Sequence, residues 1–290
     1  MHIKINTIRS NYDGFDQLSS IATETKKLVQ DTVELDFAGC SFFEANMAAP
    51  LYAILARNYG RLNDVELKNV RLSIQTILRK NYFLTRFGYD EVHDDNQTTL
   101  PFKILKLGAG EQFVEYLESY MRGRGIPHMS SGLTKKFRQS LLEIFQNATL
   151  HSHSDSGIFA CGQFYPSKKR VDFTIADAGI GIRQNVRKYL RNKRISSCDA
   201  IEWALQEGHT TNSGPHPGGL GLKLIKDFIR LNQGKIQIVS RHGFYQFSVQ
   251  GEKIKKMTHD FPGTCVNIEI NTNDPCKYCL KSELQDEDIF

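Results

Sequence analysis

Asp177-Ala178-Gly179-Ile180-Gly181-Ile182 decides how the rest of this chain is read. The segment follows an apolar strand, Val171-Asp172-Phe173-Thr174-Ile175-Ala176, with a carboxylate and two alternating glycines. A carboxylate buried at a strand end needs donors, and the exocyclic amine of adenine is one. Glycines at 179 and 181 let backbone approach a flat ring closely. Taken alone, Asp and Gly also make an ordinary strand-to-helix turn, so the segment takes its meaning from its neighbours.

Upstream stands Glu143-Ile144-Phe145-Gln146-Asn147-Ala148. Glu143 and Asn147 are one helical turn apart and share a face. An amide oxygen at Asn147 suits Mg²⁺, which keeps most of its waters and takes few protein ligands. A carboxylate at Glu143 can orient or deprotonate a water that attacks a γ-phosphate. By itself the pair reads rather as an ordinary amphipathic helix with two polar residues at its exposed edge. Downstream comes Gly218-Gly219-Leu220-Gly221-Leu222, opening a helix whose unpaired N–H groups and dipole favour phosphate. The preceding polar loop, Gly208 to Pro217, is suited to folding over a nucleotide as a lid, with Thr210 or Thr211 reaching phosphates; a plain surface loop is the alternative. No lysine follows the glycines as a P-loop demands. In this order the three motifs read as an ATP pocket.

The 290 residues are 40% hydrophobic and 24% charged, a balance expected of a soluble globular protein with room for one large domain or two ordinary ones. No apolar run is long enough to span a bilayer, and the N-terminus lacks the basic-then-apolar order of a signal peptide, so a cytoplasmic protein with no membrane partner is expected. The net charge of +5 is spread over short clusters (Lys135-Lys136, Lys168-Lys169-Arg170, Arg191 to Arg194, Lys253 to Lys256), which read as solvated surface rather than a nucleic-acid footprint. Of six cysteines, only Cys276-Lys277-Tyr278-Cys279 form a pair; no second pair completes a zinc site, and reduced thiols are expected.

Residues 1–107 alternate strand and helix: strand Ile3 to Ile8, helix Phe15 to Val29, strand Val33 to Phe37, helix Phe43 to Asn58, strand Val65 to Leu67, helix Ile74 to Phe87. This predicts a small α/β domain. Pro101 to Leu107 is a strand that either closes this domain or opens the next. Residues 108–271 begin with helices Glu111 to Arg122 and Leu133 to Leu150, then a hairpin, Gly157 to Tyr165 with Arg170 to Ile175. Helices Arg183 to Leu190, Cys198 to Gln206 and Gly219 to Leu231 lead to strands Lys235 to Val239, Tyr245 to Val249 and Cys265 to Ile270. Helices on one face of a largely antiparallel sheet make an α+β two-layer sandwich. Residues 272–290 read as a mobile tail.

The joint pattern resembles the GHKL superfamily of gyrase, heat-shock chaperone, histidine kinase and MutL ATPases, from about Gly110 to Ile270. Glu143…Asn147 is similar to its N box, Asp177 to Gly181 to its first glycine box, Gly218 to Leu222 to its second, and Gly263-Thr264 to its closing Gly-Thr. The resemblance implies a Bergerat-type fold with ATP and Mg²⁺ as cofactors. Asp177 would meet adenine, Asn147 the metal, and Glu143 would be the base. Gly179, Gly181, Thr210, Thr211, Gly218, Gly219, Leu220, Gly221, Leu222 and Thr264 would complete the nucleotide site. His151 and His153, just after the N box, could touch phosphate or metal, but read rather as solvent-exposed capping residues.

The first domain resembles a STAS domain, the fold of anti-sigma-factor antagonists, through Val33 to Phe37 and Ser41 to Met47. Phosphorylatable members carry Asp-Ser-Ser-Gly in that turn; here Glu44-Ala45-Asn46-Met47 offers no hydroxyl. The pairing implies ATP and a separate protein as partners, closest in type to anti-sigma serine kinases. Mg-dependent hydrolysis or phosphotransfer, an ATP-gated switch with slow turnover, and a scaffold all stay open, as does a homodimer.

Overall fold

The computed structural model describes residues 1–121, 124–206, 209 and 220–284. The first half folds as β1 (His2–Lys4), α1 (Tyr12–Glu24), β2 (Thr32–Asp36), α2 (Ala48–Tyr59), β3 (Asp64–Lys68) and α3 (Leu72–Lys80). Its three strands are all parallel, in the order β1-β2-β3. Asn11 caps α1 by accepting the Gly14 N–H at 2.9 Å, and Phe15, Leu18 and Ile21 form one buried stripe. In α2 the burial runs nearly all round, through Ala48, Ala49, Leu51, Ala53, Ile54, Leu55 and Ala56. A helix apolar on every side must be covered on every side, and α2 lies between two sheets.

Several boundaries move. The helix expected from Phe43 begins at Ala48, after a 3-10 turn over Ala45–Met47. The helix expected to reach Phe87 stops at Lys80, because Tyr82 adopts φ 64; a second 3-10 turn, Leu84–Phe87, follows.

The second half comprises β4 (Thr99–Leu105), α4 (Gly110–Met121), α5 (Ser131–His151), β5 (Ile158–Tyr165), β6 (Arg170–Asp177), α6 (Ile182–Leu190), α7 (Ser197–Leu205), α8 (Leu220–Asn232), β7 (Lys235–Ser248) and β8 (Gly251–Asn271). All pairings in this sheet are antiparallel, in the order β4-β5-β6-β8-β7. The strand left open between the halves therefore belongs to the five-stranded sheet, since β4 bonds to β5. The three short strands expected after Asn232 are two long ones. Register shifts between Ser240 and Gly243, with Arg241 at φ 54, bend β7 without ending it.

Along β6 the side chains alternate between two different surroundings. Val171, Phe173 and Ile175 join the core beneath α4, α5 and α8. Asp172, Thr174 and Ala176 face the first half, where Asn46 Nδ2 donates to Thr174 Oγ1 at 3.2 Å and to Asn267 Oδ1 at 3.0 Å. One apolar cluster runs from Phe15, Met47, Leu51 and Ile54 through Phe102, Phe159, Ala176, Val239 and Phe261. The layers are thus parallel sheet, α1 with α2, antiparallel sheet, and α4, α5 with α8: an α/β unit stacked on an α+β sandwich.

Glu44, in the turn compared with the phosphoacceptor loop, is 2% exposed. The Ser10 N–H and hydroxyl each donate to its Oε2 at 2.5 Å, and Arg170 Nη2 donates to its Oε1 at 2.5 Å. Burial opposes ionisation, but the Ser10 donors and Arg170 hold this carboxyl below its ordinary value. Asp172 is pushed well up by burial despite Arg170 Nη2 at 3.0 Å. Arg170, expected on solvated surface, is therefore committed to an inter-unit ion-pair cluster with Glu44, Asp172 and Glu269.

The tail is packed as far as it is described. Tyr278 N–H donates to His128 O and Ser130 N–H to Tyr278 O, both at 2.8 Å, and the Tyr278 ring meets Phe228. Ser130 Oγ donates to Glu283 Oε2 at 2.5 Å. An aromatic anchor and a bridged segment at the start of α5 outweigh the polar composition. Among the described residues all six cysteines are free; Cys40, Cys161 and Cys265 are buried, and Cys276 and Cys279 are exposed.

Candidate functional site

Asp177 is the last residue of β6 and is 2% exposed. It lines a cavity of about 160 Å³ between α5, α6, α7, the start of α8 and the sheet. Gly179 N–H donates to its Oδ1 at 2.7 Å. Burial raises this carboxyl to about 7, against the pull of the Gly179 and Thr264 N–H groups and Arg57. The acid sits poised near neutrality, and the wall around it is largely apolar: Ile144, Ile175, Val186, Leu222, Ile238 and Val266.

The glycines of the segment serve different ends. A Cβ at Gly179 would stand 2.0 Å from Ser152 O. Its lack of a side chain is therefore required by the end of α5, and Gly179 is not among the cavity-lining residues. Gly181 does line the cavity, at φ +79, and a Cβ there would meet Ser240 Oγ at 2.8 Å. Gly263, at φ +91, passes so close that a Cβ would lie 2.1 Å from Asp177 O. Thr264 beside it lines the cavity and shares a hydroxyl contact with Ser240 at 3.1 Å. Ser240 Oγ also accepts the Ile182 N–H at 2.9 Å, tying β7 to the start of α6.

From α5, Asn147 is exposed and lines the cavity. Glu143, one turn earlier, is half-buried and lies outside the described lining. His151, expected at the surface, instead lines the cavity in the last turn of α5; burial, then His153, lowers its pKa. His153 is exposed. Asn185 Nδ2 donates to His151 O at 2.8 Å and so joins α6 to α5.

The third motif is described in part. Leu220 and Gly221 open α8, and Leu222 lines the cavity. Thr210, Thr211, Gly218 and Gly219, with the lid expected over 208–217, lie outside the described residues, His209 excepted. Sequence reasoning missed Trp203, the chain's single tryptophan, which lines the cavity and stacks on His209 with ring centroids 4.7 Å apart. It also missed Arg57, whose Nε and Nη2 donate to Ala178 O and Gly179 O. The helical spacing of Trp203 carries no mark of a cavity, and Arg57 is remote in sequence. Among the described residues no cluster of three or more His, Cys, Asp or Glu is arranged to hold a metal ion, and no helix is long and apolar enough to cross a membrane.

No known protein-family profile matches the chain. Over 118 residues it is 28% identical to the sensor histidine kinase TmoS of Ectopseudomonas mendocina; the stretch is 40% of this chain and 11% of that protein. The chain thus spans about a tenth of that relative's length. The likeness is to part of a kinase-type signalling protein.

Proposed function

We propose that this chain is an ATP-binding protein of the GHKL type that hydrolyses ATP or transfers its γ-phosphate to a protein partner. The observation that carries the reading is Asp177: a buried carboxylate facing an apolar cavity, with one oxygen held by a backbone N–H. Such a group favours a planar ligand that donates a hydrogen bond and is otherwise apolar, and adenine fits that description. The cavity wall around Asp177 would take the adenine ring, and the sugar and phosphates would extend past Leu222 toward the start of α8. The positive end of that helix suits them.

Asn147, exposed on the cavity wall, would hold Mg²⁺ through its amide oxygen; the ion needs few protein ligands when phosphates supply the others. Bound there, it would neutralise phosphate charge. Glu143 is placed one turn back, where it would orient or deprotonate a nucleophile. The likeness to part of a histidine kinase fits phosphotransfer as well as hydrolysis. Burial of Glu44 and Asn46, at 2% and 0% exposure, favours a separate acceptor over the chain's own STAS-like turn.

The test is Mg·ATP binding and phosphate release, read with Trp203 fluorescence, wild type beside Asp177→Asn. An amide presents donors where the carboxylate only accepts, so the variant should lose binding. Unchanged affinity would remove Asp177 from the site. Binding without phosphate release would favour a kinase awaiting its substrate or a slow ATP switch.

A further inference from the structure

Arg57 stands in the last turn of α2, in the unit that gives no described residue to the cavity wall. Its Nε donates to Ala178 O at 2.8 Å and its Nη2 to Gly179 O at 2.6 Å. A guanidinium is a rigid fork, so it fixes two neighbouring carbonyls as one object. Each carbonyl belongs to a peptide plane whose N–H is already committed. Gly179 N–H holds Asp177 Oδ1 at 2.7 Å, and Ile180 N–H donates to Ser152 O, at the end of α5, at 2.8 Å. Both planes are thus pinned at both ends: by α2 on one side, and by the Asp177 carboxylate and α5 on the other. Rotating the plane of Ala178 O to release Arg57 would also move the N–H that orients Asp177, and rotating the plane of Gly179 O would break the bond to the end of α5. Arg57 is half-buried; burial, then Arg241 and Arg61, lowers its pKa, and Asp177 and Asp260 oppose the shift.

Resting on the ATP reading, we propose that Arg57 is the positioning residue through which the N-terminal unit sets the nucleotide affinity of the cavity. Anything that shifts α2 relative to the five-stranded sheet would then be felt at Asp177. The unit regulates the site through two peptide planes without touching the ligand.

The experiment titrates full-length protein with Mg·ATP, following Trp203 fluorescence, and records melting temperature for each variant. Arg57→Ala should bind at least about tenfold more weakly, the scale of losing hydrogen bonds from a charged group. Arg57→Lys, which keeps the charge without the fork, should fall between Arg57→Ala and wild type. Tyr12→Phe serves as the control: it removes a 3.0 Å bond to Lys256 O elsewhere in the inter-unit seam, and should bind like wild type. Wild-type affinity in Arg57→Ala overturns the proposal. So does a Lys variant no better than Ala with affinity tracking melting temperature, or a Tyr12→Phe loss as large as that of Arg57→Ala. Where Arg57→Ala does not fold, Arg57→Lys decides: weaker binding at an unchanged melting temperature supports the proposal, and unchanged affinity overturns it. A wild type that binds no Mg·ATP overturns the ATP reading and the proposal together; a binding wild type with indifferent Arg57 variants overturns the proposal alone.

Discussion

Asp177 concentrates the chemistry of the cavity in one side chain. Its carboxyl sits at about 7 because burial outweighs the neighbouring donors and Arg57. A ligand that offers a donor favours the ionised form, so binding expels a proton from the fraction of protein that still carries one. Affinity should therefore be low on the acid side of neutrality, rise as pH climbs through about 7, and level off above. Adenosine is the suitable probe, since it has no phosphate to titrate, and a flat profile would show that no proton is exchanged at Asp177. Glu143 gives a second expectation at this scale. Glu143→Ala should leave Mg·ATP binding intact and cut phosphate release by about 10²-fold, the usual contribution of a general base. Equal turnover in that variant would take the role away from it.

Among the elements, β8 and α5 do the positioning. β8 brings Gly263 against the end of β6, where any side chain would strike Asp177 O or Oδ1. Gly263→Ala combines strain at φ +91 with that overlap, and should cost on the order of 3 kcal/mol. Denaturant unfolding measures this directly, and a neutral substitution would mean that β8 moves away cheaply. The hairpin of β7 and β8 also shows where pattern reading stops. Gly243 and the charged stretch from Lys253 to Lys256 look like breaks, but the bulged β7 runs through the first and β8 through the second. Strand ends are local signals, whereas a bulge is made by what the partner strand needs. The end of α5 is similar: His151 reads as a surface cap until α6 folds against it through Asn185.

For the molecule as a whole, the decisive fact is that the outer face of the five-stranded sheet is covered. Phe102, Phe159, Ala176, Val239 and Phe261 lie in one cluster with Phe15, Leu51 and Ile54 of the first unit. Tyr52 of α2 bridges the seam, with ring centroids 5.0 Å from Phe102 and 5.1 Å from Phe159. Residues 98–290 expressed without the first unit should therefore expose a broad apolar face and aggregate. Phe159, with no exposed surface, gives the quantitative form: Phe159→Ala should destabilise full-length protein by about 3–5 kcal/mol. A stable, monomeric fragment would show that the seam contributes little to folding. The seam is polar near Asp172 and Glu44 and apolar near Tyr52. The two halves are therefore fixed in register by ion pairs as well as by the core.

The sequence by itself determined the two kinds of half, α/β then α+β, because strand and helix periods are local and repeat within each segment. It also marked Asp177, Asn147, Gly181, Leu222 and Thr264, residues whose types suit a ligand and which the fold brings to one cavity wall. The tertiary structure alone decided that Gly179 serves α5, that Trp203 and His151 face the cavity, and that the alternate face of β6 meets the first unit rather than water. Period-two alternation tells which side chains share a face, but it carries no information about what lies opposite. Arg57 is the limiting case: its contact spans 121 residues to Ala178, and no local pattern in α2 encodes the carbonyls it will find.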